Sequence, residues 1–384
     1  MNTGDFIPYG RQTIDEDDIK AVTDVLRSAF LTTGPKVKEF ENAIADYVKA
    51  KEAVAVSSGT AALHAAMAVA GLGPGDEVLV PSLSFLATAN AALYVGAKPV
   101  FVDSLADGFN MDPQDAARKI TKRTKAIAPV DFAGQPLDKS IYELAKERNL
   151  LVIEDAAHAL GATQSGRMIG SIADMTIFSF HPVKHITTGE GGMVTCQDPA
   201  RARQLRQFRH HGIDVDVVQR DTQQRWSYDM TALGYNYRLT DLQCALGISQ
   251  LKKSERFLER REAIAKAYDA AFADLSFVRL PPRPLGADRH AWHLYIIRLD
   301  SAELGFSRDE AFNRLRSRKI GAHVHYRPIH LHPYYCALGW KAGDCPKVEK
   351  TFQTMLSLPI YPGMTPEMVD RVIDGIKQLG QVKV

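Results

Sequence analysis

Short runs rich in Val, Ile and Leu alternate with longer segments of mixed polarity over the first half of the chain. Unbroken apolar runs are typical of strands that are buried on both faces of a parallel sheet, with helices between them. We therefore predict an α/β fold with a mostly parallel central sheet, whose ligands collect at the carboxyl ends of the strands. The predicted strands are residues 53–56, 77–80, 98–102, 125–130, 150–153, 176–180 and 192–195, and the predicted helices are 60–70, 84–94 and 137–148.

The second half of the chain has a different pattern. From residue 239 to about residue 272 the periodicity is helical, and charges of both signs over 252–262 indicate a solvated helix face. After a proline-rich break at 281–284, the pattern predicts a smaller α/β unit. We expect a large domain over residues 1–254 and a small C-terminal domain over 255–384. The predicted elements of the second unit are strand 293–299, helix 308–319, strand 321–325 and helix 366–379.

Two stretches, residues 53–75 and 78–97, contain no Asp, Glu, Lys or Arg. Each is long enough to pass a crude membrane test, but each also contains Ser, Pro and other polar residues. We interpret each as a buried strand followed by a buried helix. The first residues lack the basic and apolar regions of a signal peptide, and we expect a cytoplasmic protein without a membrane anchor.

Composition excludes other classes of partner. The net charge is +2, with 45% hydrophobic and 24% charged residues, so no overall field attracts nucleic acid or an anionic membrane. The four cysteines match no zinc or disulfide-rich spacing, and we expect free thiols in a reducing compartment.

Glu154 and Asp155 directly follow the predicted strand 150–153. A carboxylate at the end of a buried strand is costly unless a cation or hydrogen-bond donors face it. In isolation Asp155 could be a helix cap, a metal ligand or a catalytic group, so its role depends on the other segments.

The segment Ser57-Ser58-Gly59-Thr60 follows the first predicted strand and opens a helix. Small residues let a phosphate approach the backbone, and a helix N-terminus offers free amides to it. The segment is neither a Walker loop nor a Gly-x-Gly-x-x-Gly fingerprint, which disfavours nucleoside triphosphates and dinucleotides. On its own it would be an ordinary helix cap.

Lys184 follows a predicted strand and precedes the Gly-rich turn 189–192, in an otherwise uncharged neighbourhood from 175 to 189. Desolvation favours the neutral amine, which is the form that attacks carbonyl groups to make a Schiff base. A phosphate-binding helix start, an acid at a strand end and a lysine about 30 residues later together predict a pyridoxal phosphate site.

The chain resembles the DegT/StrS family of nucleotide-sugar aminotransferases, which are fold type I enzymes that use pyridoxal phosphate. The resemblance covers nearly the whole chain, and the order and spacing of its motifs make it specific. The segments that carry it are residues 30–35, 58–60, 155–158, 179–192, 234–241 and 358–362.

The resemblance implies a role for each site residue. Lys184 would form the Schiff base with the cofactor, and Asp155 would keep the pyridine nitrogen protonated. Phe85 would stack on one face of the ring, and His158, where many relatives carry Gln, would lie near the phenolic oxygen.

The resemblance also assigns the phosphate contacts. Gly59, Thr60 and Ser179 would hold the phosphate, although Ser57 stands where relatives often have Asn. Asn236 would reach the cofactor phosphate of a neighbouring subunit, which implies a homodimer with shared active sites.

Within the family, residues 179–192, 324–330 and 332–335 are most similar to members of the pseudaminic acid pathway. This implies transfer of the amino group of L-glutamate to carbon 4 of a UDP-linked 4-keto-6-deoxy-N-acetylhexosamine, with pyridoxamine phosphate formed between the two half-reactions. The candidate substrate contacts are His325, Tyr326 and His330 for the sugar and Arg238 for the diphosphate.

Three alternative functions would make different demands on the sequence. A related aminotransferase that acts at carbon 3, or on a GDP- or dTDP-linked sugar, stays open. A sugar dehydratase of the same fold would carry His in place of Lys184, and a DNA-binding regulator would need a basic recognition helix that the sequence does not show. We predict no metal site, because the neighbouring histidines lack an acidic partner and a known ligand spacing. These histidines are His323, His325, His330 and His332.

Overall fold

The computed structural model describes residues 5–214, 226–283 and 286–381. A seven-stranded sheet lies at the centre, in the order β1-β9-β8-β5-β4-β2-β3. Strand β9 is antiparallel to both of its neighbours, and the other neighbouring pairs are parallel, which confirms the predicted mostly parallel α/β sheet. The strands of this sheet are β1 (Glu52–Val56), β2 (Glu77–Pro81), β3 (Lys98–Val102), β4 (Thr124–Ile127), β5 (Leu151–Asp155), β8 (Met175–Ser179) and β9 (Gly192–Cys196).

Helices cover the central sheet and connect its strands. The two uncharged stretches form the pairs β1–α3 and β2–α4, and the absence of charge follows from burial, since every residue of α3 from Ala61 to Met67 is buried. The helices of this part of the chain are α1 (Glu16–Leu26), α2 (Pro35–Val48), α3 (Gly59–Val69), α4 (Leu86–Tyr94), α5 (Pro113–Lys119), α6 (Ser140–Glu147), α7 (Pro199–Phe208) and α8 (Asp241–Leu251), with a 3₁₀ turn at Phe132–Gly134.

A second core forms around the antiparallel sheet β10-β11-β12. Helix α9 begins at Ser254, where we placed the domain boundary, and its Tyr268 and Phe272 lie in this core. Ile7 also packs there and pairs with Ile320. The boundary itself stays a prediction. The elements are α9 (Ser254–Phe272), β10 (Val278–Arg279), β11 (Tyr295–Leu299), α10 (Ser301–Leu304), α11 (Arg308–Ser317), a 3₁₀ turn (Ile329–Leu331), α12 (Pro333–Ala337), α13 (Pro346–Thr354), β12 (Met355–Leu358) and α14 (Pro366–Lys377).

The prediction of a strand over residues 321–325 was wrong. Only His323 pairs there, through two backbone hydrogen bonds with Ser357, and the chain then leaves the sheet. A small separate hairpin joins β6 (Thr163–Gln164) to β7 (Arg167–Met168). In the described ranges, no helix is long and apolar enough to cross a membrane.

Candidate active site

A cavity of about 420 Å³ lies at the carboxyl ends of β1, β2, β5 and β8. Loops from the central sheet form most of its wall, and Tyr9, His323, His325 and Tyr326 close one side. Its position follows the rule that ligands of parallel sheets bind beyond the carboxyl ends of the strands. The sequence-predicted residues that line it are Gly59, Thr60, Phe85, Asp155, His158, Ser179, Lys184, His325 and Tyr326.

Asp155 is the last residue of β5 and is almost completely buried. Its Oδ2 accepts a hydrogen bond of 2.6 Å from Thr88 Oγ1, and its Oδ1 accepts one of 3.2 Å from the Ala157 amide. Burial raises the pKa of Asp155, while these two donors and the Lys184 cation oppose that rise. A buried carboxylate of this kind is well suited to a cationic ligand such as a protonated pyridine nitrogen.

Lys184 extends into the same cavity from the turn after β8. Burial lowers the pKa of its amine to about 8, although the Asp155 carboxylate raises it. No acceptor among the described residues hydrogen-bonds its Nζ. The neutral amine, which is the form that attacks a carbonyl group, is therefore more accessible near neutral pH than in an exposed lysine.

The start of α3 forms an anion cradle. Ser58 Oγ accepts a 3.0 Å hydrogen bond from the Ala61 amide, which leaves the Gly59 and Thr60 amides without an acceptor in the described part of the chain. A Cβ atom added at Gly59 would lie 2.9 Å from Ser179 Cβ, so any side chain would fill the cradle. Free amides at a positive helix end, with Ser179 opposite, fit a phosphate group.

His158 is buried, and burial lowers its pKa far below the ordinary value. The Ala133 amide donates to its Nδ1 over 3.3 Å. The neutral ring therefore carries its proton on Nε2, which is available as a hydrogen-bond donor. This tautomer suits a ligand oxygen, as the predicted role at the phenolic oxygen requires.

Sequence reasoning missed several residues of the cavity. His293 lines it and lies with its ring centroid 4.3 Å from that of His158, and its buried Nδ1 has no partner within the described ranges. Tyr9 packs against His323 and His325. Thr88 lies behind the wall, where it donates to Asp155, and could have been found as a polar residue in the first turn of an alanine-rich helix.

His330 does not reach the cavity, so its prediction as a substrate contact was wrong. The side chain is completely buried, with Nδ1 at 2.5 Å from Ser82 Oγ and Nε2 at 3.0 Å from Glu349 Oε1. Both ring nitrogens are engaged by protein atoms, and no part of the ring is left for a sugar.

Asn236 and Arg238 also lie outside this cavity. Asn236 is exposed, and Arg238 lines a second cavity of about 440 Å³, where its Nη1 lies 2.8 Å from His210 Nδ1. The single chain does not bring either residue to Lys184, so their assigned roles depend on a second subunit.

Two further carboxyl groups are buried beside Asp155. Tyr142 and Thr176 donate hydrogen bonds to Glu154, and the Leu137 amide donates to Asp131 Oδ1. Asp131 Oδ2 is buried without a hydrogen-bond partner in the part of the chain that the structure describes. Burial and the neighbouring Glu154 raise the pKa of Asp131 well above its ordinary value.

We expect Asp131→Asn to stabilise the protein more at pH 8 than at pH 5. A carboxyl group whose pKa is raised on folding favours the native state below its ordinary pKa, and that advantage is lost as the pH rises through the raised value. Removing the charge should raise the midpoint temperature of unfolding at pH 8 by roughly 2–4 °C. Calorimetry of the cofactor-free protein measures this, with the exposed Asp370→Asn as control. An equal change at both pH values would contradict the expectation.

No group of three or more His, Cys, Asp or Glu residues within the described ranges is arranged to hold a metal ion. Three of the histidines that line the cavity are buried, and burial lowers the pKa of His158, His293 and His325. Neutral imidazoles around a lysine and an aspartate form a site for an organic ligand that binds through hydrogen bonds and ring contacts.

The chain is similar to known proteins over nearly its whole length. The model of the DegT/DnrJ/EryC1/StrS aminotransferase family matches residues 12–377. The spore coat polysaccharide biosynthesis protein SpsC of Bacillus subtilis is 42% identical over 378 residues, which cover 97% of each chain.

Solved structures agree in fold over nearly the full length. The putative sugar aminotransferase Spr1654 of Streptococcus pneumoniae, in its PMP form, superimposes with a TM-score of 0.92 at 34% identity, covering 98% of this chain and 99% of that one. Its PLP form gives a TM-score of 0.91 at 33% identity, with the same coverage. Helicobacter pylori PseC, an aminotransferase in pseudaminic acid biosynthesis, gives a TM-score of 0.91 at 31% identity and covers 98% and 100%.

Proposed function

Because the chain belongs to the DegT/DnrJ/EryC1/StrS aminotransferase family, we propose that it aminates carbon 4 of a UDP-linked 4-keto-6-deoxy-N-acetylhexosamine with L-glutamate as donor. The family and the matching structures make it a sugar aminotransferase. The observation that carries the proposal is the shared cavity of Lys184, Asp155 and the free amides of α3.

The residues of the cavity fit pyridoxal 5′-phosphate. We propose that Gly59, Thr60 and Ser179 hold its phosphate and that Asp155 faces its pyridine nitrogen. When bound, this cofactor supplies the aldehyde that takes the amino group and the electron-withdrawing ring that stabilises the negative charge formed at the donor carbon.

Lys184 is the residue that we propose moves protons. Its Nζ, with a pKa of about 8, can take the α-proton of the amino donor and return a proton to the neighbouring carbon. The same exchange in reverse order would serve the keto sugar, so one lysine would act in both half-reactions.

Asp155 and His158 have supporting roles in this proposal. Thr88 and Ala157 fix the Asp155 carboxylate, so that it can hold a positive charge on the pyridine nitrogen. His158 Nε2–H would donate to the phenolic oxygen, because the Ala133 amide occupies Nδ1. The carboxylate is fixed before the ligand arrives, and little reorganisation is needed.

The sugar is assigned by similarity and by position. The likeness to PseC, which takes part in pseudaminic acid biosynthesis, supports a sugar of that pathway. His325 and Tyr326 line the cavity beside Tyr9, and we propose that they contact the sugar. An aminotransferase for a GDP- or dTDP-linked sugar, or one acting at carbon 3, is the alternative.

The unpaired cysteines are consistent with a cytoplasmic location, which we also propose.

A substrate panel tests the assignment. The holoenzyme would be incubated with L-glutamate and with UDP-, GDP- and dTDP-linked 4-keto-6-deoxy sugars, and products identified by mass and NMR. Amination of only the UDP-N-acetylhexosamine-derived ketosugar, at carbon 4, is the expected result. Preferred amination of a GDP or dTDP sugar would overturn the proposed substrate but not the chemistry.

We also propose that the enzyme is a homodimer in which Asn236 reaches the partner's cofactor phosphate and Arg238 its sugar diphosphate. Asn236 follows a segment of the chain with several exposed large apolar residues, and such residues are typical of an interface when they are numerous. Asp241 joins this segment to a second one by accepting hydrogen bonds from the amides of Gly34 and Lys36. The exposed apolar residues are Phe30, Leu31, Trp226, Tyr228, Met230, Leu233 and Tyr235.

Subunit mixing tests the shared site. Asn236→Asp and Lys184→Ala should each be inactive alone. A heterodimer of the two keeps one site in which both residues are intact, so co-refolding equal amounts should restore about a quarter of wild-type activity. An inactive mixture in which mass spectrometry detects heterodimers would contradict the exchange of Asn236 between subunits.

A further inference from the structure

Ser82, His330 and Glu349 form a hydrogen-bonded series beside the candidate active site, in which Ser82 and His330 are buried and Glu349 is partly buried. Ser82 Oγ lies 2.5 Å from His330 Nδ1, and His330 Nε2 lies 3.0 Å from Glu349 Oε1. Glu349 Oε1 also accepts a 2.8 Å hydrogen bond from the Gly343 amide. An ionised carboxylate only accepts, so Nε2–H donates to Glu349, and in a neutral imidazole Nδ1 then accepts from Ser82.

A serine, a histidine and a carboxylate in series have the composition of a hydrolytic triad, but this series is not accessible to a substrate. Ser82 and His330 are both completely buried, and neither lines the cavity. A nucleophile must reach a substrate carbon, and Ser82 has no such access. The series therefore acts on the protein around it.

The series joins two segments that each contribute an aromatic residue to the cavity wall. Ser82 begins the loop that leads to Phe85 at the start of α4, and His330 follows Tyr326 by four residues. The Ile329 amide donates a 2.8 Å hydrogen bond to the Ser82 carbonyl, so backbone and side chain both fasten this junction.

Phe85 depends on this junction for its position. Its side chain is 55% exposed, and its ring centroid lies 5.8 Å from that of Tyr326. Surrounding core residues therefore do not lock the ring, and the backbone of the loop sets where it lies. At the other end of the loop, Ser84 Oγ lies 3.0 Å from Thr88 Oγ1, which donates to Asp155.

We propose that Ser82, His330 and Glu349 are positioning residues that set the separation of Phe85 and Tyr326. This inference rests on the proposed function, in which Phe85 stacks on the pyridoxal phosphate ring and Tyr326 faces the sugar. The series acts through the loop from Ser82 to Phe85. Removing the series should therefore weaken cofactor binding by no more than the loss of the Phe85 contact would.

A double-mutant cycle tests the inference without measuring turnover. The dissociation constant of pyridoxal phosphate is measured by absorbance titration of the cofactor-free wild type, Ser82→Ala, Phe85→Ala and the double variant. We expect Ser82→Ala to weaken binding about fivefold in the wild type and less than twofold in the Phe85→Ala background. His330→Gln, which removes the group that faces Ser82, should behave like Ser82→Ala and provides a second cycle.

Ser254→Ala is the matched control, because Ser254 is also buried and donates one hydrogen bond of 2.7 Å, to the Leu251 carbonyl outside the cavity. It should leave the dissociation constant unchanged, whatever its effect on thermal stability. An unchanged dissociation constant for Ser82→Ala, or the same fivefold loss with and without Phe85, would overturn the positioning role alone. Wild-type protein that does not bind pyridoxal phosphate would overturn both this inference and the proposed function.

Discussion

Lys184→Ala is expected to lower amination of the keto sugar by at least ~10³-fold and to remove the visible absorbance of the lysine–cofactor Schiff base. Alanine supplies neither the amine that bonds the aldehyde nor the base that moves the α-proton. Absorbance spectra and a coupled assay for 2-oxoglutarate measure the two losses separately.

Two controls make the Lys184 result specific. Lys184→Arg keeps a cation in the cavity but has no neutral amine at accessible pH, so it should be as inactive as the alanine variant. Lys252→Ala changes an exposed lysine and should retain full activity. Wild-type-like turnover by either Lys184 variant would show that another residue carries the chemistry.

Asp155→Asn is expected to lower turnover by roughly 10²–10³-fold, because the neutral amide cannot hold a proton on the pyridine nitrogen. The side chain keeps its size and can still accept from Thr88 or Ala157. Loss of turnover would therefore report the charge of the carboxylate. Steady-state rates of the holoenzyme are the measurement.

Thermal unfolding of the cofactor-free protein separates this loss from damage to the fold. Burial raises the pKa of Asp155, so its ionised form costs free energy in the folded state at pH 8. Asp155→Asn should therefore unfold at the same temperature as the wild type or higher, while Asp24→Asn, an exposed change, alters neither property. Full activity of Asp155→Asn would contradict the role of its charge.

Much of the central sheet could be predicted from the sequence, for a physical reason. The apolar run Pro99–Val102 predicts a strand over 98–102, and these are the bounds of β3, which pairs in parallel with β2. Asp155 could also be predicted because it lies at the end of such a run, and Lys184 because no other Asp, Glu, Lys or Arg occurs from residue 175 to 189. Their presence in one cavity then follows from sheet topology.

Other features depend on contacts between distant segments and left no local signal. Strand β12 is only four residues long and relies on β11 for its hydrogen bonds. The helical pattern after residue 239 is divided at Lys252 and Lys253 into two helices, because α8 and α9 pack mainly into different cores.

His330 and His293 illustrate the same limit at the site. Both are histidines in apolar surroundings. His330 is held behind the cavity wall by hydrogen bonds with Ser82 and Glu349, whereas His293 lines the cavity. Residue type and spacing are alike for an imidazole that binds a ligand and for one that fastens two loops. Only the tertiary contacts distinguish them.

The pairing of Ile7 with Ile320 has a consequence for synthesis on the ribosome. Ile7 exchanges backbone hydrogen bonds of 2.9 Å with Lys319 and 2.7 Å with Gly321, and it directly precedes the segment that brings Tyr9 to the cavity. A nascent chain must wait for most of its length to be translated before these bonds can form, and such distant pairing is slow. The part of the cavity wall that Tyr9 forms is therefore completed late in synthesis. The cavity can enclose the cofactor only after the residues of the second core have left the ribosome.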